Sequence, residues 1–411
     1  MNSDVNTKMP RPAAWVRAIN AGADLARRAG ARFAGLDADE IVQQAMARAG
    51  CYNLGPDDEW RTGLEKLTED YRRHARLTAI GQIAARRHLI DLLTNRLWMA
   101  RDRAQHPDIG SQPVPAPLFI VGLPRTGTTL LHMLLAQDPD NRVPETWEVM
   151  HPAPAEGKED KRIRRAGREL AWMERLAPGF RVMHPLAPRL PQECIAIDSH
   201  TFNSYEFQTT HYLPDYQRWL EAREKHDVYR HHKRFLQHLQ WQRPGANWVL
   251  KAPAHLFGLA ELLAVYPDAG IVQTHRNPLE VMASLASLST MLRAAFSESA
   301  DPRAIGREMS ARWGGGLLQA LEQRENDRLP ASRFIDIDYR AIVSSPVDTV
   351  KTIYGRFDRE LTPEAEQAMR TFLAANPKDK HGAHKYSLEQ FGLDAEEQAE
   401  RFAGYRARFG C

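Results

Sequence analysis

Cysteine is scarce in this chain of 411 residues: Cys51, Cys194 and Cys411 stand far apart, with no C-x-x-C pair. That spacing excludes a disulfide framework or a zinc site and fits a reducing compartment. An excess of charge of one sign is lacking too. The 55 Lys and Arg against 52 Asp and Glu leave a formal net charge of +3, and Lys and Arg are scattered among the acids. A nucleic-acid partner would want a basic field, so none is expected. Any anionic ligand must be held by a few well-placed cations. No run approaches the roughly 18 consecutive apolar residues of a membrane span, so none is expected. The opening residues, MNSDVNTKMPRPAAW, hold no apolar signal-peptide core. No internal repeat and no Gly/Ser-rich linker divides the chain, so one main domain with extensions is expected, in a cytoplasmic protein. Whether it forms a homo-oligomer stays open.

What is present divides the chain at about residue 112. Residues 1–111 read as an N-terminal helical region packed on the core that follows. Asp37-Ala-Asp-Glu40 has the form of a capping box, and it introduces Ile41, Val42, Ala45 and Met46 on one stripe. Prolines 113, 115 and 117 then remove backbone donors and stop helix. From there, residues 112–411 form the main domain. The apolar runs 118–121, 248–250, 270–273 and 333–337 suit buried strands, and helical stretches such as 256–265 and 279–288 lie between or beyond them. This alternation predicts an α/β fold with a parallel sheet flanked by helices. Residues 140–245, rich in proline, aromatics and charge, read as a helix-and-loop insertion over that sheet. Within it, His231 and His232 beside Arg230, Lys233 and Arg234 read as a solvated helix face.

Between the first strand and the next helix lies Gly122-Leu-Pro-Arg125-Thr126-Gly127-Thr128-Thr129. Two glycines five positions apart let the backbone curl so that its N–H groups face one anion, and a helix N-terminus adds partial positive charge. The ATP-binding version of such a loop carries Lys after the second glycine. Thr128 stands there instead, and the basic residue, Arg125, has moved into the loop. A γ-phosphate would lose its main contact, whereas a donor with one activated 5'-group would not need it.

The stretch from Phe119 to Thr129 resembles the 5'-phosphosulfate loop of sulfotransferases that use 3'-phosphoadenosine 5'-phosphosulfate (PAPS), in particular a bacterial branch with Arg in the loop. A second stretch, Ile271-Val-Gln-Thr-His-Arg276-Asn-Pro through Ser284, resembles that family's 3'-phosphate site. The resemblance covers roughly residues 116–390. It implies a P-loop-like sulfotransferase fold and PAPS as sulfuryl donor with PAP as product. It assigns Arg125, Thr126, Gly127, Thr128, Thr129, Arg276 and Ser284 to the donor. The basic run around Lys380, His381 and Gly382 resembles the family's late loop over the 3'-phosphate, so Lys380 and Gly382 join that set.

Sulfuryl transfer needs a base for the acceptor's hydroxyl proton and cations to offset charge on the group in flight. Asn247-Trp-Val-Leu-Lys251-Ala-Pro-Ala-His255 offers both kinds of residue at a strand end. His255 is expected as base and Lys251, with Arg125, as catalytic cations. His132, His275, His200 and His211 are lesser candidates. Glu145, Trp147, Glu148, Glu193 and Asp198 are candidates to line a pocket for a small apolar or aromatic hydroxyl acceptor. No metal is called for. Two other readings stay open: a small-molecule kinase on the same core, and a non-catalytic sensor of PAP.

Overall fold

A computed structural model describes residues 14–30, 35–55, 59–154, 160–176, 187–245, 247–298, 300–326, 328–376 and 387–411. Five parallel strands form its sheet: β1 (Leu118–Gly122), β2 (Asn141–Arg142), β3 (Asn247–Lys251), β4 (Gly270–His275) and β5 (Phe334–Asp338), in spatial order β2-β3-β1-β4-β5. Phe119 aligns with Leu250 on one side and Ile271 on the other. All the longer strands fall where apolar runs predict them. The two-residue edge strand β2 carries no such run.

Side chains of β1 alternate between two cores, as a pleated strand requires. Phe119 and Val121 join Leu250, Ile271 and the N-terminal helices, while Leu118 and Ile120 join Val249, Val272 and the helix that follows the glycine loop. Those N-terminal helices are α1 (Ala14–Arg28), α2 (Ala38–Ala49), α3 (Glu59–Arg73) and α4 (Ala79–Gln105). Asp37 caps α2 as expected, accepting from the N–H groups of Asp39 and Glu40. Glu40 does not complete the box. Its carboxylate turns to Arg86 of α4, 3.3 Å away, where a cation competes better than a backbone N–H.

Among the described residues, one helix, Pro278–Phe296, is long and apolar enough by composition to cross a membrane. Half of its most apolar window is buried inside the protein, and its Arg293 pairs with Glu308 at 2.6 Å. The helix His226–Gln242 corrects one expectation. His231 and His232 are buried, because Val228, Phe235 and Leu239 at helical spacing turn that face into the core.

Candidate functional site

The glycine loop leaves β1 with backbone that only certain residues tolerate. Gly122 has φ +138°, and a Cβ there would sit 2.4 Å from Thr274 Oγ1 and 2.7 Å from the Thr274 carbonyl oxygen. Glycine is required at this point. Arg125 (φ +71°) and Gly127 (φ +87°) are also left-handed. Such alternation turns successive N–H groups to one side and makes an anion nest. For Arg125, which has a Cβ, the conformation costs about 1 kcal/mol, so the surroundings must hold it. Helix α5 (Thr128–Leu135) begins directly after the loop.

Arg125 and Arg276 meet although 151 positions separate them. The Arg276 guanidinium, at the end of β4, donates from NH1 to the Arg125 carbonyl oxygen (3.0 Å). It lies over the Tyr339 ring at 4.3 Å and pairs with Glu280 at 2.9 Å. Arg125 Nε donates to Ser284 Oγ at 3.3 Å. Three of the expected donor-binding side chains thus converge beside the loop. Ser284 lies two turns into Pro278–Phe296, a helix whose start is capped by Asn277 accepting from Leu279 N–H.

Thr126 is used differently. Its hydroxyl donates to the Leu123 carbonyl (2.6 Å) and contacts Thr274 Oγ1 (2.6 Å), so the side chain locks the loop to β4. The single hydroxyl proton is thereby committed. Thr128 is buried at the start of α5, and Thr129 is half-buried with its hydroxyl 3.5 Å from Lys251 Nζ. Lys380 and Gly382 lie outside the described residues.

Lys251, at the end of β3, is only 2% exposed and forms an ion pair with Glu193. An antiparallel bridge between Glu145 and Pro191, together with Gln192 N–H donating to Pro144 O (2.7 Å), brings Glu193 to that strand end. Taking the Lys251 ammonium out of water beside a half-buried Glu193 costs several kcal/mol of desolvation, which a stable fold alone does not require. Nearby His132 donates from Nε2 to the Val249 carbonyl oxygen at 3.2 Å. Burial first, and the Lys251 charge second, push its pKa down to about 3. It stays neutral.

His255 is not brought to Lys251. Pro253 starts a short 3-10 turn, and the His255 ring enters the core on the side of the N-terminal helices, edge-on to Phe119 at 5.1 Å. Val249 and Lys251 point to the α5 side instead, two residues apart on one face of β3. His255 is 1% exposed, with Nδ1 3.1 Å from the Tyr229 hydroxyl, and burial holds its pKa well below the ordinary histidine value. A base must meet its substrate, and this ring meets aromatic side chains. The lesser histidines are engaged as well. His275 bonds Tyr405 (2.6 Å) and Asp336 (2.8 Å), His200 contacts the Ala196 carbonyl (3.1 Å), and His211 lies 3.1 Å from the Tyr71 hydroxyl.

Two functional candidates escaped the sequence in their present roles. Glu193 stood out only as a possible pocket residue, and Tyr339 not at all. Both depend on chain segments that meet only in the fold. Asp70, His74 and Asp215 also gather closely enough to span a cation. There Asp70 serves the fold, accepting from Tyr216 N–H at 2.8 Å near the start of the helix Pro214–Glu221.

The profile of a sulfotransferase family matches residues 117–363. Omega-hydroxy-beta-dihydromenaquinone-9 sulfotransferase Stf3 of Mycobacterium bovis is 24% identical over 307 residues, 69% of this chain and 73% of that protein. Among solved structures, sulfotransferase STF9 from Mycobacterium avium superposes with a TM-score of 0.82 at 29% identity, covering 92% of this chain and 98% of that one. Sulfotransferase STF1 from Mycobacterium tuberculosis H37Rv gives 0.79 at 32%, covering 89% and 98%. Coverage this broad leaves too little of the chain outside to exclude the N-terminal helices.

Proposed function

The chain belongs to the sulfotransferase family, and from that premise we propose that it moves a sulfuryl group from PAPS to the hydroxyl of a small apolar acceptor, leaving PAP and a sulfate ester. One observation carries the donor assignment: Arg125, Arg276 and Ser284 converge beside a loop whose glycines leave room for an anion. Arg276 and Ser284 hold the 3'-phosphate. The backbone of residues 125–128, the α5 N-terminus and Thr129 hold the 5'-end. Lys380 and Gly382 join the donor set from sequence alone. The reading asks for no metal, and Thr128 at the position of the ATP-loop lysine sets it apart from a kinase.

In the transfer, the acceptor oxygen forms a bond to sulfur while the bond from sulfur to the 5'-phosphate oxygen breaks. The acceptor's proton passes to a base. We assign that base to Glu193 rather than His255, because Glu193 is the carboxylate that meets Lys251 beside Thr129. Lys251 and Arg125 offset charge on the sulfuryl group and the departing phosphate. The relative named above acts on a hydroxylated dihydromenaquinone, which supports an apolar acceptor here. A cytoplasmic setting rests on the free cysteines.

Turnover with sulfur-labelled PAPS and a panel of isoprenoid alcohols, fatty alcohols, sterols, phenols and sugars tests the proposal. Label should pass to apolar alcohols or phenols. Transfer confined to sugars would overturn the acceptor assignment, and no transfer to any member, with ATP consumed instead, would overturn the reaction.

A further inference from the structure

Helix α6 (Arg162–Leu176) is strongly basic for its length, with five arginines and two glutamates, a net of 5 − 2 = +3 over 15 residues. Its inner face is short of apolar contact, with only Ala166 fully buried. What anchors it is polar. His151 Nε2 meets Glu169 at 2.9 Å, and Arg162 lies over the Trp147 ring at 4.7 Å while donating to the Ala153 carbonyl at 2.9 Å.

The outer face has an unusual composition for a solvated surface. Arg168, Trp172 and Arg175 follow one another at i, i+4 and i+7, so they share one side of the helix. Trp172 is 57% exposed and Met173 44%. The Arg175 guanidinium lies over the Trp172 ring at 5.2 Å. An exposed tryptophan between arginines suits the boundary of an anionic bilayer, where the indole sits at headgroup level and guanidinium groups meet lipid phosphates.

The place of α6 gives this surface a purpose. Trp147, beneath Arg162, donates from Nε1 to Glu145 at 2.5 Å. Glu145 bridges to Pro191, two residues before Glu193. The N-terminal end of the helix that carries the basic-aromatic face is thus tied through a short chain of contacts to the proposed acceptor side of the site.

We propose that the Arg168–Trp172–Arg175 face of α6 docks the protein on an anionic phospholipid surface, from which a bilayer-dissolved hydroxyl acceptor reaches the site. This rests on the apolar-acceptor reading above and adds where that acceptor is met. Arginine on phosphate binds by charge and tryptophan by partition, so the docking falls with salt and with loss of either component.

Co-sedimentation of the full chain with vesicles tests it, comparing phosphatidylcholine alone with a mixture containing about one-third phosphatidylglycerol. The wild type should prefer the anionic vesicles, with binding lost in high salt. Arg168→Glu with Arg175→Glu should weaken that binding about tenfold or more, and Trp172→Ser should weaken it separately. PAP affinity, measured on the same preparations, should be unchanged by all three substitutions. No preference of the wild type for anionic vesicles, or equal binding by the charge-reversed variant, overturns the docking surface. So does a concentration-dependent dimer that the charge reversal dissociates, since the face would then belong to a second copy. Intact PAP binding with no vesicle binding sinks this inference alone. Failure of the wild type to bind PAP sinks the donor reading whatever the vesicles show.

Discussion

Lys251 and Glu193 form an ion pair at the end of β3, the lysine buried and the glutamate half-buried, with the lysine ammonium 3.5 Å from the Thr129 hydroxyl at the first turn of α5. The pair joins the acceptor-side insertion to the strand that flanks the glycine loop. A cation beside that loop and a carboxylate beside the cation are the two groups sulfuryl transfer requires.

Glu193→Gln keeps the shape and removes the proton acceptor. Turnover should fall by about 10²–10⁴-fold, with PAP affinity within about twofold of the wild type. Near-normal turnover would remove Glu193 from the chemistry. Glu193→Ala is a poorer probe, because it strands the Lys251 charge in the interior and costs stability as well.

His255→Ala should act on the fold. It vacates space against Phe119 and leaves the Tyr229 hydroxyl without its 3.1 Å partner. Denaturant unfolding should show a loss of about 2–4 kcal/mol. Turnover per folded molecule, measured well below the new midpoint, should remain near wild type. Abolished turnover in a folded His255→Ala protein would restore the histidine as base.

Arg276→Ala removes a charged fork together with its hydrogen bond to the Arg125 carbonyl, while Gly122 and Thr126 still shape the loop against β4. Affinity for PAP should drop by about 10- to 100-fold, as expected for hydrogen bonds to a charged group. Affinity for adenosine 5'-phosphosulfate, which has no 3'-phosphate, should change little. Equal losses for both ligands would move Arg276 off the 3'-phosphate.

Stability should fall steeply on acidification. Burial lowers the pKa of His132, His211, His232 and His238 to about 3 and of His200 to about 4. The unfolded chain binds protons at these rings from about pH 6.5 downward, while the folded protein does not. Their stabilisation is therefore complete above about pH 6.5 and declines as pH drops toward 4. Asp70, Asp102, Asp198 and Asp227, raised first by burial, pull the other way, as does His88, which against its burial is raised by Glu206, but His231, His255 and His275, lowered first by burial, add to the five rings. Thermal midpoints should decrease markedly between pH 7 and pH 5. A flat profile there would mean that these rings take up protons without unfolding.

Much of the glycine-loop region was legible because its signals are local. A strand, a glycine loop and a helix occupy adjoining positions from 118 to 135, and Arg276 and Ser284 are eight residues apart on one strand–helix junction. The Lys251–Glu193 pair was not legible. Lys251 and Glu193 meet only because residues 190–192 pair with residues 144–146, a contact no sequence spacing announces. His255 sits near the right strand end, yet the turn begun by Pro253 sends it to the opposite face. His231 and His232 were readable. Val228, Phe235 and Leu239 mark their face as inward, and the charged neighbours that suggested solvent lie on the other side of the helix.

Gly122→Ala tests how tightly the loop is held. The added methyl would meet Thr274 at 2.4 Å in a backbone conformation of φ +138°. A stability loss of about 2 kcal/mol or more is expected, along with loss of PAP binding. A stable variant with unchanged affinity would show that the loop can relax away from β4.

Titration calorimetry of the purified chain with PAP, and separately with ATP and magnesium, tests the central assignment most directly. The glycine loop and the Arg276–Ser284 pair that adjoins it, acting on one nucleotide, predict tight association with PAP and weak or no association with magnesium–ATP. Tight magnesium–ATP binding without detectable PAP binding would contradict the account.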